Sequence, residues 1–202
     1  MFDARLRPLI DPPLNACGRW LAGRGVSANA VTLAGLFVGI GAAVAVAAQA
    51  FGVALILIGV NRLLDGLDGA VARARGPSDF GGYLDSLADF AFYVAVPLGF
   101  ALASPANALP AAVLIASFTI TGVSFLAYAA IASKYGLENS AHGTKSFFYS
   151  TGIAEGAATI AVFVLMCLFP AWFAVIAFVY AAMCAITVVQ RSLLAWRTFS
   201  EK

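Results

Sequence analysis

The sequence predicts an all-α integral membrane protein, six transmembrane helices preceded by an N-terminal interfacial amphipathic helix. Three observations carry this fold class. Of 202 residues, 62% are hydrophobic and 11% charged, with a mean hydropathy of +0.92, whereas a soluble domain is about half apolar and a quarter charged. The apolar residues fall in runs of about 20, the length a helix needs to cross a bilayer core. The connections between these runs alternate between uncharged and charged. An ordinary cytosolic globule is thereby excluded, and the spans leave no room for a substantial soluble domain. The net charge of +2, from twelve basic and ten acidic residues, is too small to point to nucleic acid.

In chain order, residues 1–24 place Phe2, Leu6, Ile10, Leu14, Cys17 and Leu21 at helical spacing, with Asp3, Arg5, Arg7 and Asp11 elsewhere around the wheel. This predicts a helix along the inner leaflet, bent or broken at Pro12-Pro13. A charged lead before a late apolar run does not match a cleavable signal. Spans are expected at 29–49, 51–72, 82–103, 107–133, 147–169 and 171–197. The turns at Ala50-Phe51-Gly52, Ser104 to Asn107 and Phe169-Pro170-Ala171 carry no charge. Arg5, Arg7, Arg19 and Arg24, then Arg73 and Arg75, Lys134 and Lys145, and finally Arg191, Arg197 and Lys202 gather at the other side, with Arg62 in the nearer half of its span. By the positive-inside rule that side is cytoplasmic, with both termini in it. With no internal repeat or low-complexity linker, residues 1–202 read as one membrane domain. Cys17, Cys167 and Cys184 lack C-x-x-C spacing and read as packing residues.

Carboxylates within spans cost several kcal/mol each and mark function by default. Asp65 and Asp68, at i and i+3, share a face near the cytoplasmic end of the second span, and Asp85 and Asp89, at i and i+4, share one at the start of the third. A short connection lets the two faces oppose each other. Four carboxylates in low dielectric repel unless cations sit among them, and hard divalent ions with oxygen ligands suit the set. The absence of His or Cys beside them argues against zinc. Helix-end capping, or pairing with Arg62, Arg73 and Arg75, is the alternative. Gly66, Gly69, Gly81 and Gly82 allow close backbone approach and room for a bulky ligand. Arg73 and Arg75 nearby suggest a phosphate-bearing one, hence phosphoryl transfer at the membrane surface.

Asp65-Gly66-Leu67-Asp68-Gly69-Ala70-Val71-Ala72-Arg73, followed by Gly81, Asp85 and Asp89, resembles the signature of the CDP-alcohol phosphatidyltransferases, D-x-x-D-G-x-x-A-R then G-x-x-x-D-x-x-x-D, with every fixed position filled. The resemblance implies a homodimeric inner-membrane enzyme that moves a phosphatidyl group from CDP-diacylglycerol to a small polar alcohol, releasing CMP, with its active site cytoplasmic. It further implies that Asp65, Asp68, Asp85 and Asp89 hold two divalent cations, Mg²⁺ or Mn²⁺, and that Asp89 is also the general base. Gly69, Ala72 and Arg73 would line the site for the cytidine diphosphate. Asn29 and Thr32 match an N-x-x-T often found at the start of the family's first span, near the nucleotide, which implies that they help bind the donor; helix capping is their other reading.

The acceptor is less defined. Lys145 and Arg191 could grip a phosphate or carboxylate, or only anchor helix ends by snorkelling. Glu155, two turns into the expected fifth span, needs a partner such as Lys145, Arg191 or an acceptor hydroxyl or ammonium. His142 reads as solvated. The basic residues favour a phosphorylated acceptor such as glycerol 3-phosphate, while Glu155 favours an amine or polyol. A cation-coupled transporter is the rival from another class, and a CDP-linked headgroup transferred to a lipid alcohol is the rival within the enzymes.

Overall fold

The computed structural model describes residues 2–136 and 152–200, with side chains from residue 11 onward. Among these residues the chain is helical throughout, with two short 3-10 turns and no strand. It divides into two compact units, Met1–Pro105 and Ala106–Lys202.

The first unit holds α1 (Phe2–Gly23), α2 (Ala28–Ala47), α3 (Phe51–Arg75) and α4 (Asp79–Ala103). Helix α2 is its centre: α3 and α4 each pack along it and scarcely touch one another. Small residues make this possible. The buried face of α2 includes Gly35, Gly39, Ala42, Ala43 and Ala45, so the backbones approach closely without large side chains between them. A Cβ on Gly99 of α4 would lie 2.5 Å from the Ala43 carbonyl oxygen, and one on Gly39 would lie 2.8 Å from the Phe92 ring. Ser27 caps α2 by accepting the Ala30 N–H, and Ser78 caps α4 by accepting that of Gly81. The turn from α2 to α3 is closed by Gln49 at φ 58°, its side-chain amide donating to the Ala103 carbonyl at the end of α4.

Helix α1 departs from expectation. It is continuous through Pro12 and Pro13. A proline's fixed φ of about −65° is itself helical, and the cost falls on the N–H bonds it lacks and the carbonyl it crowds one turn back. Cys17, expected on the apolar stripe, is exposed. Helix α1 instead docks on α3 through Gly18, where a Cβ would lie 2.6 Å from that of Ala70, and through Leu14, which would touch a Cβ on Gly66 at 2.9 Å.

The second unit holds α5 (Ala108–Lys134), α6 (Gly156–Leu168) and α7 (Phe173–Phe199). Helices α5 and α7 pack along one another. Phe118 meets Phe163 and Tyr180 edge-on at 6.0 and 5.9 Å, while Tyr180 and Thr159 share a 2.8 Å hydrogen bond.

Helices α2, α4, α5 with its leading turn, and α7 with its leading turn are long and apolar enough to cross a membrane. Helix α3 has the length, at 25 residues, but from about its midpoint onward it carries Arg62, Asp65, Asp68, Arg73 and Arg75. The fifth expected span is shorter than its apolar run suggested. Of 147–169, residues 147–151 lie outside the described residues, and the helix has 13 residues, beginning at Gly156. That is about 20 Å at 1.5 Å per residue, against about 30 Å of hydrocarbon. Glu155 is therefore not two turns inside a span. It stands just before α6 in extended backbone, with its Oε1 accepting the Gly152 N–H at 2.9 Å. A carboxylate favours this helix end, where the unpaired N–H groups point.

Backbone against backbone leaves nothing to swing aside. Gly99→Ala should therefore destabilise the detergent-solubilised protein by roughly 1–3 kcal/mol. Gly59→Ala, in α3 with nothing within 4 Å of its Cβ position, should be neutral or stabilising by up to about 1 kcal/mol. Thermal unfolding of the two variants side by side checks this.

Candidate active site

Because α3 and α4 both lean on α2 and not on each other, a cleft remains between them. It is lined by Thr32, Gly35 and Leu36 of α2, Asn61, Arg62, Asp65 and Asp68 of α3, and Asp85, Ala88 and Asp89 of α4. All four motif aspartates thus meet in one place. The cavity measures about 10 Å³, room for one water-sized body.

Asp65, Asp68 and Asp85 each offer a carboxylate oxygen, and these oxygens lie within 4.8 Å of one another. Oxygens bound to Mg²⁺ at about 2.1 Å sit no more than about 4.2 Å apart, and those around Ca²⁺ at about 2.4 Å no more than about 4.8 Å. The three carboxylates therefore fit a hard divalent ion with at most a small side-chain movement. Asp68 is the most deeply set, 5% exposed. The hydroxyl of Thr32 lies 2.6 Å from its Oδ2 and 3.1 Å from the Ala28 carbonyl. With one proton to give, the shorter bond to the charged acceptor dominates. Thr32 is thus a partner of the second motif aspartate, one turn inside α2, while Ser27 does the capping. Asn29 stands in the first turn, its Oδ1 3.2 Å from where a Cβ on Gly81 would be, which brings it beside the second half of the motif.

Asp89 is engaged differently. Its Oδ1 accepts from Arg62 Nη2 at 3.1 Å, and Arg62 Nη1 stands 3.6 Å from Asp65 Oδ2. The sequence reading left Asn61 without a role in the site and gave Arg62 only that of a possible ion-pair partner of the aspartates. The available signal was an Asn-Arg pair one turn before Asp65, on a face shared with the carboxylates.

The remaining expected residues are spread more widely. Gly69 and Ala72 share the carboxylate face of α3 by helical spacing. Arg73 lies on the shoulder of that face and turns to α1, donating to Asn15 Oδ1 at 3.2 and 2.9 Å. There, with Asn15, Arg19, Ala70 and Ala74, it lines a second hollow of about 200 Å³. Gly66 faces Leu14 and so serves the docking of α1. Arg75 donates to the Val26 carbonyl. In the second unit Arg191 is 5% exposed. It donates to the Thr121 carbonyl at 2.9 Å and to Ser124 Oγ at 2.7 Å, over the Phe125 ring at 5.5 Å. Lys145 and His142 lie outside the described residues.

Comparison with known proteins places the chain among known sequences and folds. The sequence profile of the CDP-alcohol phosphatidyltransferases matches residues 26–190. The chain is 47% identical over 192 residues to inner membrane protein YnjF of Escherichia coli K12, spanning 95% of this chain and 93% of that protein. It is 37% identical over 100 residues to the archaetidylinositol phosphate synthase of Pyrococcus horikoshii, about half of each chain. Among solved structures it is similar to the phosphatidylinositol phosphate synthase of Mycobacterium tuberculosis. The TM-score is 0.69 to the form with CDP-DAG bound, at 23% identity over 91% of this chain and 93% of that one. To the complex with manganese and citrate it is 0.67, at 22% identity over 91% and 88%.

If the Thr32 hydroxyl orients Asp68 for an ion, Thr32→Val should weaken Mn²⁺ binding about tenfold or more. Thr32→Ser should bind as the wild type does. Electron paramagnetic resonance of free Mn²⁺ during titration reads both.

Proposed function

Because the chain belongs to the CDP-alcohol phosphatidyltransferase family, we propose that it transfers the phosphatidyl group of CDP-diacylglycerol to a small polar alcohol and releases CMP. The observation that carries this reading is the meeting of Asp65, Asp68 and Asp85 from two helices in the cleft that also holds Asp89. Family membership removes the transporter alternative. The relative from M. tuberculosis was crystallised with CDP-DAG and with manganese, which supports the donor and the class of ion.

In this reading Asp65, Asp68 and Asp85, with Asp89 at the edge of the set, hold two divalent cations, Mg²⁺ or Mn²⁺. When bound, these ions neutralise the diphosphate oxygens and the departing CMP. Gly69, Ala72 and Arg73, with Asn29, receive the cytidine diphosphate, and Thr32 keeps Asp68 in place. Asp89 accepts the acceptor's hydroxyl proton as that oxygen attacks the phosphatidyl phosphorus and the P–O bond to CMP breaks. A cleft in the charged half of α3 leaves the acyl chains in the bilayer while the headgroup enters from the side. The enzyme lies in the inner membrane as a homodimer, with site and termini cytoplasmic. The six-span reading counts α3 and α6 as spans, completed by their flanking residues.

For the acceptor, we assign Lys145, Glu155 and Arg191. A relative named for an inositol phosphate product supports a phosphorylated alcohol, the class to which glycerol 3-phosphate also belongs.

The test is CMP release by purified protein given CDP-diacylglycerol and a panel of alcohols. Turnover should appear with a phosphorylated alcohol, vanish with EDTA and return with Mg²⁺ or Mn²⁺. Turnover that survives complete chelation overturns the ion's role, and none with any alcohol overturns the substrate assignment. For Arg191, a charge-assisted contact of about 1.5–3 kcal/mol with an acceptor phosphate means that Arg191→Met should raise the acceptor KM about ten- to a hundredfold, with the donor KM within about twofold. Equal KM values together with a lowered Tm would assign Arg191 to tying α7 to α5 alone.

A further inference from the structure

The cleft that gathers four aspartates is also lined by Arg62, and its guanidinium is gripped from several directions. Its Nε donates to Asn61 Oδ1 at 2.8 Å. Asn61 is 3% exposed, and its own amide donates to the Gly35 carbonyl of α2 at 2.8 Å. The ring of Phe92, from α4, lies 5.0 Å from the guanidinium carbon. Space for this clamp is made at Gly39, where a Cβ would stand 3.0 Å from the Asn61 amide nitrogen and 2.8 Å from Phe92. So braced, the two terminal nitrogens reach Asp89 Oδ1 at 3.1 Å and Asp65 Oδ2 at 3.6 Å.

We propose that Arg62 is a positioning residue for the transfer step, holding Asp89 by Oδ1 so that Oδ2 faces the acceptor hydroxyl, while its charge limits how tightly the carboxylates bind a divalent ion. The proposal rests on the reading of Asp89 as the base. An aspartate surrounded by three like charges is driven toward rotamers that point away from them. A guanidinium fixed to α2 through Asn61 opposes that drive at one oxygen and leaves the other for a proton. A lysine cannot do both, because an ammonium lacks the planar fork that spans Asn61 and two carboxylates at once. The same positive charge repels any ion entering the set.

These two roles predict opposite movements on one substitution, which loss of structure would not produce. Arg62→Gln should bind Mn²⁺ about tenfold more tightly, since one repelling charge is gone. Its kcat should fall about a hundredfold, since the base is no longer aimed, with the KM for CDP-diacylglycerol within about twofold. Arg62→Lys should return Mn²⁺ affinity to the wild-type value yet recover only part of kcat. In an Asp89→Asn background, Arg62→Gln should cost less than about threefold further, because both act through one group. Mn²⁺ binding by electron paramagnetic resonance and CMP release, on full-length protein in detergent, read all four. The proposal is overturned if Arg62→Gln keeps kcat within threefold of wild type, if its loss is fully additive with Asp89→Asn, or if its Mn²⁺ affinity falls. Should Arg62→Gln not survive purification, Arg62→Lys decides: wild-type kcat overturns the proposal, and reduced kcat at unchanged Mn²⁺ affinity supports it. A wild type that releases no CMP with any alcohol overturns the substrate assignment instead, and the Mn²⁺ measurements, which need no substrate, still decide the charge effect.

Discussion

Mutual repulsion among the four aspartates is the constraint around which the first unit is organised. Two carboxylates about 5 Å apart cost about 3 kcal/mol at an effective dielectric of 20, and the cleft brings three ligand oxygens within 4.8 Å. Helices carrying such charges do not associate by attraction for each other. They are held by a third element, α2, whose small residues let α3 and α4 pack along it while the carboxylates face one another. The charge is then managed locally by a hydroxyl on Asp68, a guanidinium on Asp89 and, in the proposed holoenzyme, divalent ions. The glycines of α2 and α4 are thus as much part of the site as the acids, since a side chain at Gly39 or Gly99 would push apart the surfaces that present them.

Much of this site was legible in the sequence because intramembrane acids are rare and their spacing on a helix fixes their face. Asp65 with Asp68, and Asp85 with Asp89, needed only the helical period and a short connection to be placed together. Thr32 was singled out for the nucleotide or for capping, and its bond to Asp68 crosses 36 residues of sequence, which periodicity cannot read. Arg62 was noticed as a topological exception and as one possible ion-pair partner of the aspartates, not as part of a clamp. Its role depends on Asn61 reaching a carbonyl of α2 and on a ring from α4, and neither contact leaves a local trace.

The misreadings have their own physical cause. Apolarity marks what can lie in lipid or in a core, not where a helix begins, so the fifth span was drawn too early and Glu155 was placed inside it. Its extended backbone and bond to Gly152 belong to a helix start. In α1, Pro12-Pro13 suggested a bend or break, but their fixed φ suits a helix and α1 runs through them. The described part of that helix is held by Gly18 and Leu14 against α3, a steric fit that hydrophobic periodicity does not report.

The uneven character of α3 bears on what must hold it beside the other helices. Its first half is apolar, and its second half carries charges whose insertion costs up to about 2.5–3.5 kcal/mol apiece near a bilayer centre. Alone, such a segment would favour the water boundary over the bilayer centre. It follows α2, an apolar helix, after only the turn at Ala48 to Ala50, and the two pack as a hairpin. The hydrogen bond from Asn61 to Gly35 lies wholly within this hairpin and needs no residue of α4. Phe92, Asp85 and Asp89 come from α4, so that helix completes a half-cleft that the hairpin already presents.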